Sequence, residues 1–286
     1  MLMFTLALNP LFMLLLPMIL GVFLCKRLGV RGSLFGVGAL TFVGSQVVHI
    51  PLNAVVGHWF SVGVIPMPPE VLRDPLLALG LGLSAGVCEE VARYLALRFW
   101  VKDVRDWSRG MVFGVGHGGI ESIIVGLLAG VSVLNVFVLQ GADVDSLLEK
   151  GVPPEQAEAI VAQLTEVWEQ SWWFPLLGVF ERSYAIVVHI AATLLVMMSV
   201  VRRSWVWLAA AVALHTALNA TVVYAAHILK LEAVWVQLIG CSFGLGCLFV
   251  IVKLYNASEK RADNRYEPIV PIQPQRVHVQ DTLGEE

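Results

Sequence analysis

Nine side chains in this sequence have the types and spacing to move protons or hold a cation. Glu89, Glu90 and Arg93 fall together, His117 and Glu121 are four apart, Glu181 and His189 eight apart, and His215 and Asn219 four apart. On a helix, residues three or four apart are neighbours and eight is close to two turns, so each group makes one polar stripe. A carboxylate within reach of a water, with imidazoles nearby, is a general-base arrangement. Glu89 and Glu90 point about 100° apart on a helix, so only one can face a common centre fully and Arg93 can pair with the other. His117, His189 and His215, with the extra carboxylates, could hold a divalent metal such as zinc that polarises the water. The spacing is not H-E-x-x-H. The alternative is a glutamate-activated water, with histidines and Asn219 stabilising the oxyanion.

The segments that carry these groups are apolar enough to lie in a membrane. Glu89, Glu90 and Arg93 sit in SAGVCEEVARYLALRFW, and His117 and Glu121 in RGMVFGVGHGGIESIIV. One charged side chain at the centre of a spanning helix costs about 2.5–3.5 kcal/mol even on the lenient insertion scale. Ionisable groups kept at that cost point to a functional site. Depth gives an independent check, taking about 1.5 Å of rise per residue from the basic end of each segment. Glu89, Glu90, Glu121, His189 and His215 come out roughly 17–18 Å deep and His117 about 12 Å. Four helices running in alternate directions thus put their polar groups in one layer. Glu181 falls nearer the other end.

Composition agrees: 57% of the 286 residues are hydrophobic and 14% charged, against about 25% charged in a soluble domain. Seven spans are expected, at about 2–25, 33–60, 75–101, 109–140, 174–201, 204–228 and 232–255, each long enough for a bilayer. The fold class is therefore all-α, a polytopic membrane helical bundle. Domain organisation is read as one unit, 1–255, with an outer helical loop at 141–173 and a disordered tail at 256–286. Lys and Arg in the loops, at the span ends and in the tail divide thirteen to three between the two sides. By the positive-inside rule the N-terminus is outside and the C-terminus cytoplasmic, in an integral protein of the cell membrane. Nothing in the sequence calls for a nucleic-acid partner.

Smaller features have structural readings. Cys25, Cys88, Cys241 and Cys247 lie in apolar segments without metal-type spacing, so neither disulfides nor a zinc finger are expected. The first apolar run precedes its basic residues, Lys26 and Arg27, and is read as a retained span. His49, near Pro51, is expected to satisfy a backbone group freed by the proline. The glycines around His117 suit close helix packing and would also leave room for a substrate backbone. In 141–173, Pro153-Pro154-Glu155 reads as a helix start. Ile160, Val161, Leu164, Val167 and Trp168 form one apolar face, giving a helical hairpin over the outer mouth.

The residues resemble a known family. E-E-x-x-R (Glu89, Glu90, Arg93), F-x-x-x-H (Phe113, His117) and H-x-x-x-N (His215, Asn219) are similar to motifs of the CAAX-prenyl-protease and bacteriocin-processing intramembrane proteases. There the arginine comes one residue later. The strings CEEVARY, GHGGIES, ERSYAIVVH and HTALN most resemble the YhfC-like membrane peptidases, a branch of that superfamily. The resemblance implies a site opening toward the bilayer or cytoplasm and peptide-bond hydrolysis of a membrane-embedded or lipidated peptide. It implies Glu89 as the base that activates water, with Glu90, His117, His215 and Asn219 completing the centre. Arg93, Glu121, Glu181 and His189 support it. Two other classes compete: a proton-coupled carrier using the same Glu/His layer as a relay, and a scaffold that keeps the layer for packing. The absence of paired broken helices weighs against the carrier.

Overall fold

The computed structural model describes residues 1–263, and among these the secondary structure is helical without strands. Helices α1 (Leu2–Leu28), α2 (Ser33–Ser61), α3 (Glu70–Leu95) and α4 (Trp107–Val138) are followed by the short α5 (Val144–Glu149) and α6 (Pro154–Glu169). Then come α7 (Leu177–Arg202), α8 (Trp205–Val223) and α9 (Ala233–Asp263). Seven of these segments are long and apolar enough to cross a membrane. The chain is thus an all-α helical bundle, with span boundaries close to the expected ones. The last helix runs on to Asp263, past the expected end at 255; the remainder of the expected tail, from 264, lies outside the described residues.

Local chemistry fixes the ends. Gly29 closes α1 in the left-handed region, φ 64°, where a Cβ would be strained. Asp106 caps α4 by accepting from the Arg109 backbone N–H. Pro154 occupies the first turn of α6, as its fixed φ favours. The α5–α6 pair forms the expected hairpin, with Leu147, Ala157 and Leu164 buried and Trp168 beside Phe137 at 6.5 Å. The Thr5 hydroxyl donates to the Trp172 carbonyl, tying α1 to the segment after the hairpin.

The centre of the bundle is α7. It packs against α4, α8 and α9, and 89% of its apolar window is buried, against 22% for α1. Glycines set the spacing around it. A Cβ on Gly114 would meet Ile190 Cα at 2.8 Å, and one on Gly118 would meet His189 Cβ at 2.8 Å. Gly82 and Gly86 do the same between α3 and α8, against Ala220 N and the Thr216 hydroxyl. The room expected around His117 for a substrate backbone is therefore filled by neighbouring helices. The glycines serve to bring α2, α4 and α7 close enough for their polar stripes to meet.

Candidate active site and metal centre

Four helices bring the polar stripes together. Glu89, Glu90 and Arg93 come from α3, His117 and Glu121 from α4, Glu181, Arg182 and His189 from α7, and His215 and Asn219 from α8. Glu90, Arg93 and His117 are wholly enclosed, and Glu89, His189 and His215 are also buried.

Glu89 is the hub. Its Oε2 accepts from His117 Nε2 at 3.1 Å, with Arg93 Nη2 at 3.5 Å and His189 Nδ1 at 3.8 Å. Its Oε1 lies 3.5 Å from Gln46 Nε2 and 3.9 Å from His215 Nε2. Glu90 has a different environment. Its Oε1 accepts from Arg93 and from His215 Nδ1, the latter at 2.7 Å. That bond engages Nδ1 of His215 and turns its Nε2 toward Glu89. The rings of His117 and His189, and of His189 and His215, have centroids 5.4 Å apart.

Behind this centre stands a second group. His189 Nε2 donates to Glu121 Oε2 at 2.6 Å, which fixes the tautomer and turns Nδ1 inward. Arg182 bridges the carboxylates, donating to Glu121 at 3.1 Å and to Glu181 at 2.6 Å. Arg182 is thus an element of this network. Glu181 lies at the rim, its side chain 42% exposed. A cavity of about 100 Å³ runs from Glu89, His189 and His215 past Asn219 toward Glu181 and Val222, that is, toward the α5–α6 end of the bundle.

The donor set fits a divalent cation. One oxygen of Glu89 and one ring nitrogen each of His117 and His189 lie within 4.8 Å of one another. Donors held about 2.0–2.1 Å from a tetrahedral ion are about 3.4 Å apart, and the separations of 3.1 and 3.8 Å from Glu89 bracket that value. Two histidines and a glutamate are also a donor set used by catalytic zinc. Arg93 Nη2 already puts a cation on two of these atoms, donating to His189 Nδ1 at 2.5 Å beside Glu89. Of the expected donors, the three histidines with extra carboxylates, Glu89, His117 and His189 make this group, while Nδ1 of His215 is engaged by Glu90.

Sequence reasoning missed one feature. His49 does not serve the backbone at Pro51. Its Nδ1 donates to Gln46 Oε1 at 3.0 Å, and its Nε2 accepts from Asn53 Nδ2 at 3.0 Å with Ser84 Oγ at 3.3 Å. Gln46 then donates to Glu89. The signal was present, since Gln46, His49 and Asn53 are spaced three and four apart on one helical face.

A protein-family model described as "YhfC intramembrane metalloprotease" matches residues 12–239. An uncharacterised membrane protein of Bacillus subtilis (strain 168), YhfC, is 33% identical over 217 residues, which is 75% of this chain and 81% of that one. No solved structure matches. The carrier alternative finds no support in these relatives.

Proposed function

This chain belongs to the YhfC intramembrane metalloprotease family, and from that premise we propose that it is a peptidase that hydrolyses peptide bonds within the bilayer. One observation carries the reading. A carboxylate and two imidazoles converge at the centre of a membrane bundle beside a small cavity, with Arg93 next to the carboxylate and Glu121 holding His189. A scaffold would satisfy its buried polar atoms, yet Glu90 Oε2, Arg93 Nε and His117 Nδ1 are buried without partners among the described residues.

Glu89, His117 and His189 would hold a divalent ion such as zinc. When bound, such an ion lowers the pKa of a coordinated water and polarises a carbonyl oxygen. The protein's own groups supply the rest. His215 turns Nε2 toward Glu89 and is oriented by Glu90, so Nε2, in its deprotonated form, takes the proton of the attacking water and returns it to the leaving amine. Glu121 keeps His189 in the tautomer that points Nδ1 inward. Asn219 lines the cavity, where its amide meets the carbonyl oxygen as charge develops. The substrate is a membrane-embedded or lipidated peptide.

The test uses the full chain purified into lipid nanodiscs. Elemental analysis should find about one divalent ion per chain, and a library of apolar peptides should be cut. His117→Ala and His189→Ala should each lose the ion together with cleavage. Full metal occupancy in both variants would sink the ligand assignment, and no cleavage by metal-loaded wild-type chain would sink the peptidase reading.

A further inference from the structure

The polar line Asn53–His49–Gln46 ends on Glu89 at one end and on an open groove at the other. That groove lies between the outer-loop halves of α2 and α3, encloses about 510 Å³, and has both Asn53 and Ser84 in its wall. The remaining surface is almost entirely apolar, with Val56, Leu77 and Gly80 among the residues that form it and Arg73 at its rim. Two glycines widen it. A Cβ on Gly57 or on Gly80 would meet no atom within 4 Å, whereas one on nearby Gly82 would meet Ala220 N at 2.8 Å. The helices that could have closed on Gly57 and Gly80 do not.

We propose that this groove binds one flank of the peptide substrate in an extended form, delivering the adjoining bond to Glu89. This rests on the peptidase reading and names where its substrate lies. An extended backbone in hydrocarbon exposes N–H and C=O groups that must find partners, each unmet group costing several kcal/mol. A lipid chain has no such need. The groove supplies an apolar lining for side chains and, at Asn53 and Ser84, polar groups for the backbone, which is the combination a peptide requires. An amide offers two donors and an acceptor oxygen, and the His49 bond uses one donor of Asn53.

Dimensions agree. Arg73 and Ser84 are eleven residues apart on α3, about 16 Å of rise, which is about five residues of extended chain. Ser84 to Glu89 is about 8 Å along the same helix, or two to three extended residues. A flank of about five residues fills the groove, and the rise left between Ser84 and the level of Glu89 is that of about two or three more.

The probe is a photoreactive octapeptide of Leu and Ala carrying a diazirine, compared with its backbone N-methylated form and with a diazirine fatty acid. The chain carries Glu89→Gln in every arm, so that labelling does not depend on hydrolysis. The peptide should label segments 52–60 and 67–84, and the N-methylated form should label them at least tenfold less. Gly80→Leu should reduce peptide labelling about tenfold without lowering the melting temperature, and Gly57→Leu provides a second obstruction should Gly80→Leu misfold. Asn53→Leu with Ser84→Ala should reduce labelling several-fold. Equal labelling by the fatty acid or by the N-methylated peptide would make this a lipid groove and overturn the proposal, as would labelling indifferent to both glycine variants. The two readings fail separately. Groove labelling without cleavage by the unmodified, metal-loaded chain removes the peptidase, and cleavage without groove labelling removes this site.

Discussion

Glu89 and Glu90 are adjacent in sequence and opposite in circumstance. Glu89 faces two imidazoles and the cavity, while Glu90 is enclosed between Arg93 and His215. Replacing each by Gln therefore tests different physics. Glu89→Gln removes an anionic donor while keeping its shape, so bound metal should fall by at least the roughly 10–100-fold that outer-shell changes cost, and cleavage with it. Should the metal stay at full occupancy while cleavage falls by about 10²–10⁴, Glu89 is the base of the sequence reading and not a ligand. Glu90→Gln leaves a buried guanidinium short of its nearest anion, a change that costs about 3–5 kcal/mol when nothing compensates. Arg93 keeps Glu89 at 3.5 Å, so the loss should lie toward the lower end. A lowered melting temperature with some turnover retained is its expected signature, and an unchanged melt would show that Arg93 does not depend on Glu90. Spacing revealed the helical stripes that carry these groups, because period and face follow from helix geometry. It could not reveal which ring nitrogen turns where, since that is decided by partners on other helices, as Glu121 decides it for His189 and Glu90 for His215.

At the scale of the helices, α2 is held to α4 by small residues rather than by apolar attraction, because lipid is as apolar as the helices themselves. Gly38 is the closest approach. A Cβ there would run into the Phe113 carbonyl oxygen and lie 2.9 Å from His117 N, both backbone atoms that cannot turn aside. Gly36, two residues earlier on the same helix, has nothing within 4 Å. Gly38→Ala should cost about 1–3 kcal/mol by overpacking and should disturb the His117–Glu89 contact, lowering metal content. Gly36→Ala should be neutral or stabilising by up to about 1 kcal/mol, as alanine is the better helix former. Equal melting of the two variants would show that α2 and α4 are not in the contact described. Span limits were legible from apolar length, but the π-helical turns at Ala96–Trp100 and Tyr224–Ile228 were not. Nor was the burial of α7, since α1 is as apolar and faces outward. Hydropathy separates lipid-compatible from aqueous segments and is blind to which of them a protein encloses.

For the whole molecule the open quantity is direction across the membrane. The basic residues 26–31, 102–109 and 202–203 follow α1, α3 and α7 and so share one end of the bundle, while the α5–α6 hairpin stands at the other. Anionic lipid and the membrane potential favour the basic end on the cytoplasmic side. On that basis we expect the hairpin outside, with the cavity that runs from Glu89 toward Glu181 opening in the outer half of the bilayer. Single cysteines at Glu158, in α6, and at Asn256, beyond the apolar part of α9, decide it. A membrane-impermeant maleimide on intact cells should label Glu158→Cys, and should label Asn256→Cys only after permeabilisation. The reverse pattern would turn the molecule over, so that the same cavity would admit substrate from the cytoplasmic half. Labelling of both from outside would mean that one of the seven apolar helices does not cross. The depth agreement among Glu89, Glu121, His189 and His215 would then lose its basis, because it counts each helix from the same membrane face.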